Sequence, residues 1–249
     1  MEYSYTGFYE STPAQHSELA SLWGGCSNFT FRYNLFTFTA INDETTGGLM
    51  FDSLPIPAAS SLFVYGNIFA PVNGGSMGGN NGQIGSWCSG GSFLNHARVF
   101  YNTFISNGNP ALGNVTNSGS DNIAQNNLFY LSNPGTGVSA CGGPSPGQIW
   151  NTVTHNHFVS SSAVGTNTST GTGNPFVNWP AMDFRLTQAA AQTMPAGLDI
   201  GSGPTGHTYN VDMFGNPRTS RTRGAIEFIT GGPPPVRPLH GGTRRFGRR

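Results

Sequence analysis

A seven-residue pattern recurs five times along the chain, and it constrains the fold more than any other feature of the sequence. Each copy has four residues typical of a β-strand, then an asparagine, then any residue, then a phenylalanine. The copies lie at residues 30–36, 63–69, 98–104, 123–129 and 152–158. Repetition at intervals of 25 to 35 residues indicates stacked units, because a unit of this size buries its apolar face only against its neighbours.

The columns of the repeat alternate in polarity. The third residue before the asparagine is always apolar, whereas the second residue before it is mixed and mostly able to face water. The second residue after the asparagine is always phenylalanine: Phe36, Phe69, Phe104, Phe129 and Phe158. Because the side chains of a strand alternate between its two faces, this pattern predicts two short, half-buried strands in each repeat.

The invariant asparagine separates these two strands. Asparagine tolerates the left-handed backbone conformation, so its position predicts a tight bend. Stacking would also let the asparagine amides hydrogen-bond from repeat to repeat, as in the amide ladders of cross-β assemblies. The predicted ladder consists of Asn34, Asn67, Asn102, Asn127 and Asn156.

Stacked units of this kind predict an all-β protein, a solenoid of parallel strands about 4.8 Å apart. Sandwiches and propellers are the competing architectures, but neither explains one Asn-x-Phe register repeated at about one coil's length. The repeats resemble the right-handed parallel β-helix superfamily, the pectate-lyase-like proteins. This resemblance implies a single-stranded right-handed parallel β-helix.

The end of the chain adds to the resemblance. Residues 174–178, 183–186 and 199–201 look like the final coils of such proteins. Residues 212–218 (Asp-Met-Phe-Gly-Asn-Pro-Arg) and 224–227 (Gly-Ala-Ile-Glu) resemble the segment that closes bacterial β-helix surface proteins of the choice-of-anchor type. The resemblance covers residues 28–228 and is not specific for activity, because this fold carries lyases, hydrolases, epimerases, adhesins and phage spikes.

These expectations divide the chain into three parts. Residues 1–27 form an N-terminal cap segment, in which Ser11 or Thr12 caps a short helix that ends at Gly24. Residues 28–228 form the β-helix domain, and its closing coils at 174–228 include a segment expected to cover the C-terminal end of the stack, since open strand edges invite association. Residues 229–249, rich in proline, glycine and arginine, are expected to be disordered.

Charge excludes some classes of partner. The chain has 11 basic and 11 acidic residues, and every basic residue is arginine. Five arginines lie in the last 13 residues, so the rest has six arginines against 11 acids, a net charge of about −5. We expect no nucleic-acid binding by such a body. No apolar run approaches the length of about 18 residues that a membrane-spanning helix needs.

Acidic residues that could serve a polysaccharide-degrading enzyme are few. A lyase needs carboxylates for calcium and a base, and a hydrolase needs neighbouring carboxylates. Outside the closing coils only Asp43 and Glu44 cluster, and they fit a solvated turn. Arg98 and Asp121 fall in adjacent repeats, so stacking brings them together either as a lyase base beside a ligand or as a surface ion pair.

Histidine and cysteine give no clear metal site. His155 and His157 could reach one metal ion only on a regular strand, and the bend at Asn156 interrupts it. The three cysteines (Cys26, Cys88 and Cys141) form no CxxC pair, and their odd number leaves at least one thiol unpaired. We expect no metal and no cofactor, with calcium only for a lyase.

An outward column of aromatic residues is the candidate ligand-binding feature. Tyr65 and Phe100 share this column on adjacent repeats, and Arg32 lies one repeat before them. Exposed aromatic rings hold flat sugar rings through apolar and cation–π contacts. The alternative is that other parts of the chain cover them and that they belong to the core.

The sequence therefore favours a secreted or cell-surface module that is non-catalytic and has a structural, adhesive or carbohydrate-contacting role. A polysaccharide or surface glycan is the expected partner, although no signal peptide is visible in this sequence. The alternative is a polysaccharide lyase or glycoside hydrolase that acts on an acidic, pectin-like polysaccharide. A trimeric fibre is a third class, since the sequence does not fix the oligomeric state.

Overall fold

The computed structural model describes residues 5–8, 17–23, 29–38, 45–52, 62–71, 83–86, 96–106, 111–112, 121–136, 150–201 and 207–229. The fold of these residues is all-β, with a single 3-10 turn at Trp179–Ala181 and one short helix, α1, at Gln188–Thr193. No helix in these ranges is long and apolar enough to span a membrane.

Seventeen strands account for most of the described residues. In chain order they are β1 (Tyr5–Phe8), β2 (Ser17–Trp23), β3 (Phe29–Arg32), β4 (Leu35–Phe38), β5 (Thr45–Asp52), β6 (Leu62–Tyr65), β7 (Ile68–Pro71), β8 (Ile84–Ser86), β9 (Ala97–Phe100), β10 (Thr103–Ser106), β11 (Ile123–Gln125), β12 (Leu128–Thr136), β13 (Thr152–Thr154), β14 (His157–Ser162), β15 (Ser169–Gly171), β16 (Phe176–Asn178) and β17 (Asp183–Leu186). Each repeat asparagine lies between two of these strands, as the alternation predicts.

The strands form three parallel sheets and one antiparallel pair. A seven-stranded sheet has the order β1-β4-β7-β10-β12-β14-β15, a five-stranded sheet has the order β13-β11-β9-β6-β3, and a three-stranded sheet has the order β2-β5-β8. Successive repeats pair in register, so that Phe36 lies opposite Phe69 and Phe104 lies opposite Phe129. β16 and β17 pair antiparallel.

The prediction of one right-handed parallel β-helix is wrong. The described strands form separate sheets of seven, five and three strands instead of one closed winding. The repeat specifies only the two strands that flank the asparagine, because the rest of each 25- to 35-residue interval follows no common pattern. After β15 the chain leaves the parallel arrangement altogether for the antiparallel pair, α1 and an irregular segment.

The predicted N-terminal capping helix is also wrong where the structure describes it. Ser17–Trp23 form β2, which pairs in parallel with β5 and places Trp23 opposite Asp52. A short isolated helix is marginally stable in water, whereas pairing along an existing strand satisfies the backbone of every second residue. The remaining residues of the predicted helix, and residues 230–249 of the predicted disordered tail, lie outside the described residues.

The phenylalanines of the five repeats form one stack in the interior of the molecule, as pairing of the repeats in register requires. Adjacent rings along the column Phe36, Phe69, Phe104, Phe129 and Phe158 have centroids 4.7–5.1 Å apart and interplanar angles of 10–23°. Each ring is at most 1% exposed. Leu49 and Ile84 of the three-stranded sheet belong to the same core. Full burial of each such side chain contributes about 1.5–3 kcal/mol.

A second core lies outside the sheets, beneath residues 207–229, which we call the closing segment. The Tyr33 hydroxyl donates to the carbonyl of Thr208 at 3.1 Å, and the Ala225 N–H donates to Thr103 Oγ1 at 2.9 Å. The closing segment therefore lies along the side of the stack, and the prediction that it covers the C-terminal end is wrong. The outward faces of the two larger sheets carry buried apolar side chains of this second core, and the closing segment covers them.

Candidate functional site

The repeat asparagines form one hydrogen-bonded column at the corner between the two larger sheets. From the second repeat onward, each Oδ1 accepts the backbone N–H and the Nδ2 of the asparagine before it, at 2.8–3.1 Å. From the second repeat onward, each asparagine Nδ2 also donates to a backbone carbonyl of the preceding repeat, at 2.8–3.0 Å. All five side chains are fully buried. The ladder is thus a structural element that offers no surface to a ligand.

The sequence predicted a left-handed backbone at the asparagine of each turn. The structure places it instead at the residue before the asparagine. The φ angles are 57° at Tyr33, 66° at Gly66, 52° at Tyr101, 58° at Asn126 and 52° at His155. The asparagine side chain is committed to the ladder, so the preceding residue makes the turn. Several of these preceding residues also contact the C-terminal part of the chain, as Tyr101 does when its hydroxyl donates to the carbonyl of Leu198 at 2.9 Å.

A second and shorter amide column was missed from the sequence. The Ala97 N–H donates to Asn122 Oδ1 at 3.0 Å, and the Asn122 N–H donates to Asn151 Oδ1 at 2.8 Å. Asn122 and Asn151 both lie five residues before a ladder asparagine. That shared offset is a signal in the sequence, although only two repeats carry it.

The structure places Tyr65 and Phe100 in one outward column and covers both of them. Tyr65 is 2% exposed and Phe100 is 7% exposed. The Tyr209 ring packs edge-on against them, with centroids 4.9 Å from Tyr65 and 5.3 Å from Phe100. Arg32 is half-buried, and its guanidinium donates to the Tyr65 hydroxyl at 3.0 Å.

His207 covers Phe63, which lies two residues before Tyr65 in β6. Its ring stacks on Phe63 with centroids 4.2 Å apart, and it meets Tyr65 at 5.6 Å. Burial lowers the pKa of His207, and the positive charge of Arg32 lowers it further. The imidazole is therefore neutral at pH 7 and occupies a position where a sugar ring would stack. In this conformation a glycan can reach the closing segment but not the aromatic column.

An exposed charged cluster joins the third and fourth repeats. Arg98 and Asp121, which the repeat spacing placed in adjacent repeats, form an ion pair, and the Arg98 guanidinium also donates to the Asp121 carbonyl. His96 Nδ1 lies 3.0 Å from Asp121 Oδ2. The three side chains are 22–48% exposed. Hydrogen bonds from Arg98 and from His96 lower the pKa of Asp121.

Sequence reasoning missed His96, although it has the same offset from its asparagine as Asp121. The residues at this offset share no chemical type, so the column carries no visible pattern. Both His96 and Asp121 are left-handed, with φ of 55° and 60°. The carboxylate orients the imidazole through Nδ1 and leaves Nε2 as the nitrogen that can accept a proton.

His155 and His157 do not converge on a common point. His157 is buried, and its Nδ1 lies 2.7 Å from Ser169 Oγ, whereas His155 Nδ1 lies 2.9 Å from Thr154 Oγ1. Burial and then the charge of Arg223 lower the pKa of His157 to about 4. Within the described ranges no three His, Cys, Asp or Glu side chains group as a metal site. The residues Cys26, Asp43, Glu44, Cys88 and Cys141 lie outside those ranges.

Buried polar side chains hold the closing segment in shape. Asp212 Oδ1 accepts the N–H groups of Phe214 and Asn216, each at 2.8 Å, and Glu227 Oε2 accepts that of Thr222 at 2.9 Å. The Arg218 guanidinium lies 4.2 Å from the centre of the Tyr101 ring. The Asp212 carboxylate therefore caps the turn that follows it. The motif residues therefore maintain the segment and present no reactive group.

Similarity to known proteins adds nothing to these observations. No protein-family model matches the chain. No curated protein and no solved structure matches it either. The chemistry and burial of the chain's own residues therefore carry the functional proposal.

Proposed function

We propose that this chain is a non-catalytic structural module of a secreted or cell-surface protein, with an adhesive or carbohydrate-contacting surface. The observation that carries the proposal is the asparagine ladder, in which fully buried side chains are bonded from the first repeat to the fifth. A satisfied buried network specifies one rigid arrangement of the chain. Rigidity of this kind serves a scaffold that must hold its surface in place.

The buried polar groups of the closing segment support the same proposal. Asp212, Arg218 and Glu227 are each at most 8% exposed, and their partners are backbone groups of the same segment. Catalytic acids need access to a substrate. The secreted or surface location rests on the resemblance of the repeats and of residues 212–227 to bacterial surface proteins.

The test is incubation of the whole chain with a panel of neutral and acidic polysaccharides, with and without calcium. We expect no increase in ultraviolet absorbance from unsaturated uronic products and no new reducing ends. Release of either product would contradict the non-catalytic proposal. A parallel sedimentation experiment on the same panel measures glycan retention, and retention without turnover supports the carbohydrate-contacting role.

An enzyme acting on acidic polysaccharide is the second candidate, and the exposed cluster of His96, Arg98 and Asp121 favours it. In a lyase, His96 would accept the proton from C5 of a uronic acid while a C4=C5 double bond forms, the C4–O bond breaks, and solvent protonates the leaving oxygen. Arg98 would attract the substrate carboxylate. Its charge is already balanced by Asp121, which makes this the weaker candidate.

If any turnover is detected, the variant His96→Ala tests whether the exposed cluster is its source. Loss of at least about a hundredfold in rate is expected for removal of a general base. Asp183→Asn is the matched control, because Asp183 forms an exposed pair with Arg185 away from the cluster. Turnover that is unchanged in His96→Ala would exclude the cluster as the source of activity.

A further inference from the structure

A cleft of about 340 Å³ lies where the closing segment meets Tyr101 and residues 199–201. Tyr101, Tyr209 and Arg218 line its buried floor, and Asp199, Thr208 and other exposed residues form its rim. Its volume lies at the lower end of the range of about 300–1,000 Å³ for ligand pockets. A cleft of this size suits a ligand as small as a single sugar ring.

The rim offers several planar or hydroxyl groups for hydrogen bonding. Asp199 and Arg221 form an ion pair, with Arg221 Nη2 donating to Asp199 Oδ2 at 2.7 Å. This bond leaves the other N–H groups of the Arg221 guanidinium without a partner among the described residues. The Asn210 amide and the Thr208 hydroxyl also line the cleft and have no side-chain partner there. Vicinal hydroxyl groups of a ligand match such paired donors and acceptors.

Backbone conformation places the ion pair at the mouth of the cleft. Arg221 has a φ of 51°, which is uncommon for a residue other than glycine, and Gly201 has a φ of 64°. A Cβ added at Gly201 would meet no atom within 4 Å, so the space beside it is open.

The charges of the cleft favour an uncharged ligand. Asp199 and Arg221 neutralise each other. The Arg218 guanidinium donates to the carbonyls of Thr222 and Ala225, and it lies 3.8 Å from Glu227 Oε2. A charged ligand would therefore find no uncompensated opposite charge among these lining residues.

We propose that this cleft binds a neutral polyhydroxylated ligand, a single sugar ring of a glycan, through Asp199, Asn210 and Arg221. The proposal deepens the carbohydrate-contacting part of the proposed function, on which it rests. It also places carbohydrate contact away from the covered column of Tyr65 and Phe100.

The experiment is ligand-observed NMR on the intact chain with glucose, galactose, mannose, N-acetylglucosamine and galacturonic acid. We expect at least one neutral sugar to bind with a Kd on the order of millimolar, as is usual for a ligand with so few atoms. The variants Arg221→Ala and Asn210→Ala should each weaken that binding. For Arg221→Ala the loss should be at least about tenfold, since a charge-assisted hydrogen bond is removed.

Two control variants keep the test specific. Arg185→Ala removes an exposed ion pair of the same kind, in which Arg185 Nη2 lies 2.6 Å from Asp183 Oδ2, outside the cleft. Binding in this variant should equal that of the unmodified chain. His96→Ala should also bind normally, and thermal unfolding of every variant checks that the fold is retained.

Three outcomes would overturn the proposal. The first is that no neutral sugar binds, and the second is that binding persists in both Arg221→Ala and Asn210→Ala. The third is a preference for galacturonic acid that His96→Ala abolishes, which would move the site to the exposed cluster. Neither of the first two outcomes contradicts the proposed scaffold function. That function is contradicted only if the chain releases products from the polysaccharides of the panel.

Discussion

The repeat asparagine is the residue on which the stack depends, because its amide supplies both acceptor and donor capacity at one buried point. Asn102 illustrates this in the middle of the ladder. Its Oδ1 accepts the N–H and Nδ2 of Asn67, and its Nδ2 donates to Asn127 Oδ1 and to the carbonyl of Val64. Aspartate lacks the donors and glutamine is longer, so the chemistry of the position explains why all five repeats carry asparagine.

Replacement of Asn102 by alanine should lower the free energy of unfolding by about 2–4 kcal/mol. The Asn67 N–H and the carbonyl of Val64 lose partners in the interior, and each buried group left unpaired costs about 1–3 kcal/mol. Urea denaturation measures the change. Asn178→Ala is the control, because Asn178 is exposed and its side chain makes no capping hydrogen bond. Equal stability of the two variants would argue against a structural role for the ladder.

Gly66 occupies the one turn of the five where only glycine fits. It has a φ of 66°, and a Cβ would lie 2.7 Å from the Tyr33 ring. Gly66→Ala should therefore destabilise the protein by more than the 1–2 kcal/mol that the left-handed backbone alone costs. Gly173→Ala isolates the backbone term, since Gly173 has a φ of 76° and open space around its Cβ position. If both variants lose the same free energy of unfolding, the Tyr33 ring does not prevent a Cβ at position 66.

The buried His157 makes stability depend on pH. Its pKa in the folded protein is about 4, below the ordinary histidine value of about 6.5, so the unfolded chain binds the proton more readily. The contribution is complete well above pH 6.5 and is lost as the pH falls toward 4, and about 2 kcal/mol of stability is lost by pH 5. Chemical denaturation at pH 7 and pH 5 should show a smaller loss for His157→Gln than for the unmodified chain. An identical loss would mean that other groups account for the pH dependence.

The closing segment is the element that completes the fold. Two sheets present apolar residues on their outer faces, and the segment covers these faces from Tyr33 in the first repeat to Asn156 in the fifth. At the far end the Arg223 guanidinium donates to the carbonyl of Asn156 at 2.8 Å. A segment that covers an apolar face needs hydrogen-bond partners for its own backbone N–H and C=O groups. Arg218, which belongs to the segment, supplies such partners by donating to two of its carbonyls.

Arg218→Met should destabilise the protein by about 3–5 kcal/mol. The substitution leaves Glu227 buried without its cation and frees carbonyls that Arg218 satisfies. Arg185→Met removes an exposed pair and should cost no more than about 1 kcal/mol. Thermal unfolding measures both. A double variant with Glu227→Gln should lose less than the sum of the single changes, and strict additivity would contradict the coupling of the two residues.

At the scale of the molecule, the closing segment links all five repeats into one cooperative unit. Stacked repeats contact only their neighbours and can unfold piecemeal. Here bonds such as those from Gly224 N–H to the Asn126 carbonyl and from Arg223 to Asn156 cross the repeats from outside. The chain therefore combines local stacking with contacts of long sequence separation.

Native-state hydrogen exchange tests this cooperativity. The N–H groups of Asn67 and Asn127 in the ladder and of Ala225 in the closing segment should exchange with opening free energies within about 1 kcal/mol of one another. The N–H of Ala191 in α1 should exchange faster, since this helix has only six residues and none of them is fully buried. Much weaker protection of Ala225 than of the ladder would mean that the segment detaches on its own.

The repeat pattern determined the local arrangement that the structure contains. The alternation around each asparagine predicts two strands, and the offset of the phenylalanines predicts a single buried column, because side chains of a strand alternate regularly. Arg98 and Asp121 were paired from the same register. These features follow from neighbouring residues and from one repeated interval, which is information that the sequence carries directly.

Other features depended on contacts that no interval encodes. The cover over Tyr65 and Phe100 is such a feature, because it arises where Tyr209 of the distant closing segment packs against the repeats. The number of sheets and the number of strands in each could not be predicted either, since the residues between the repeats share no pattern. The alternation within each repeat is enough to predict which side chains face inward. Which outward faces are covered follows from the packing of residues 207–229, and that packing appears only in the folded molecule, because the segment lies far from most of the repeats in sequence.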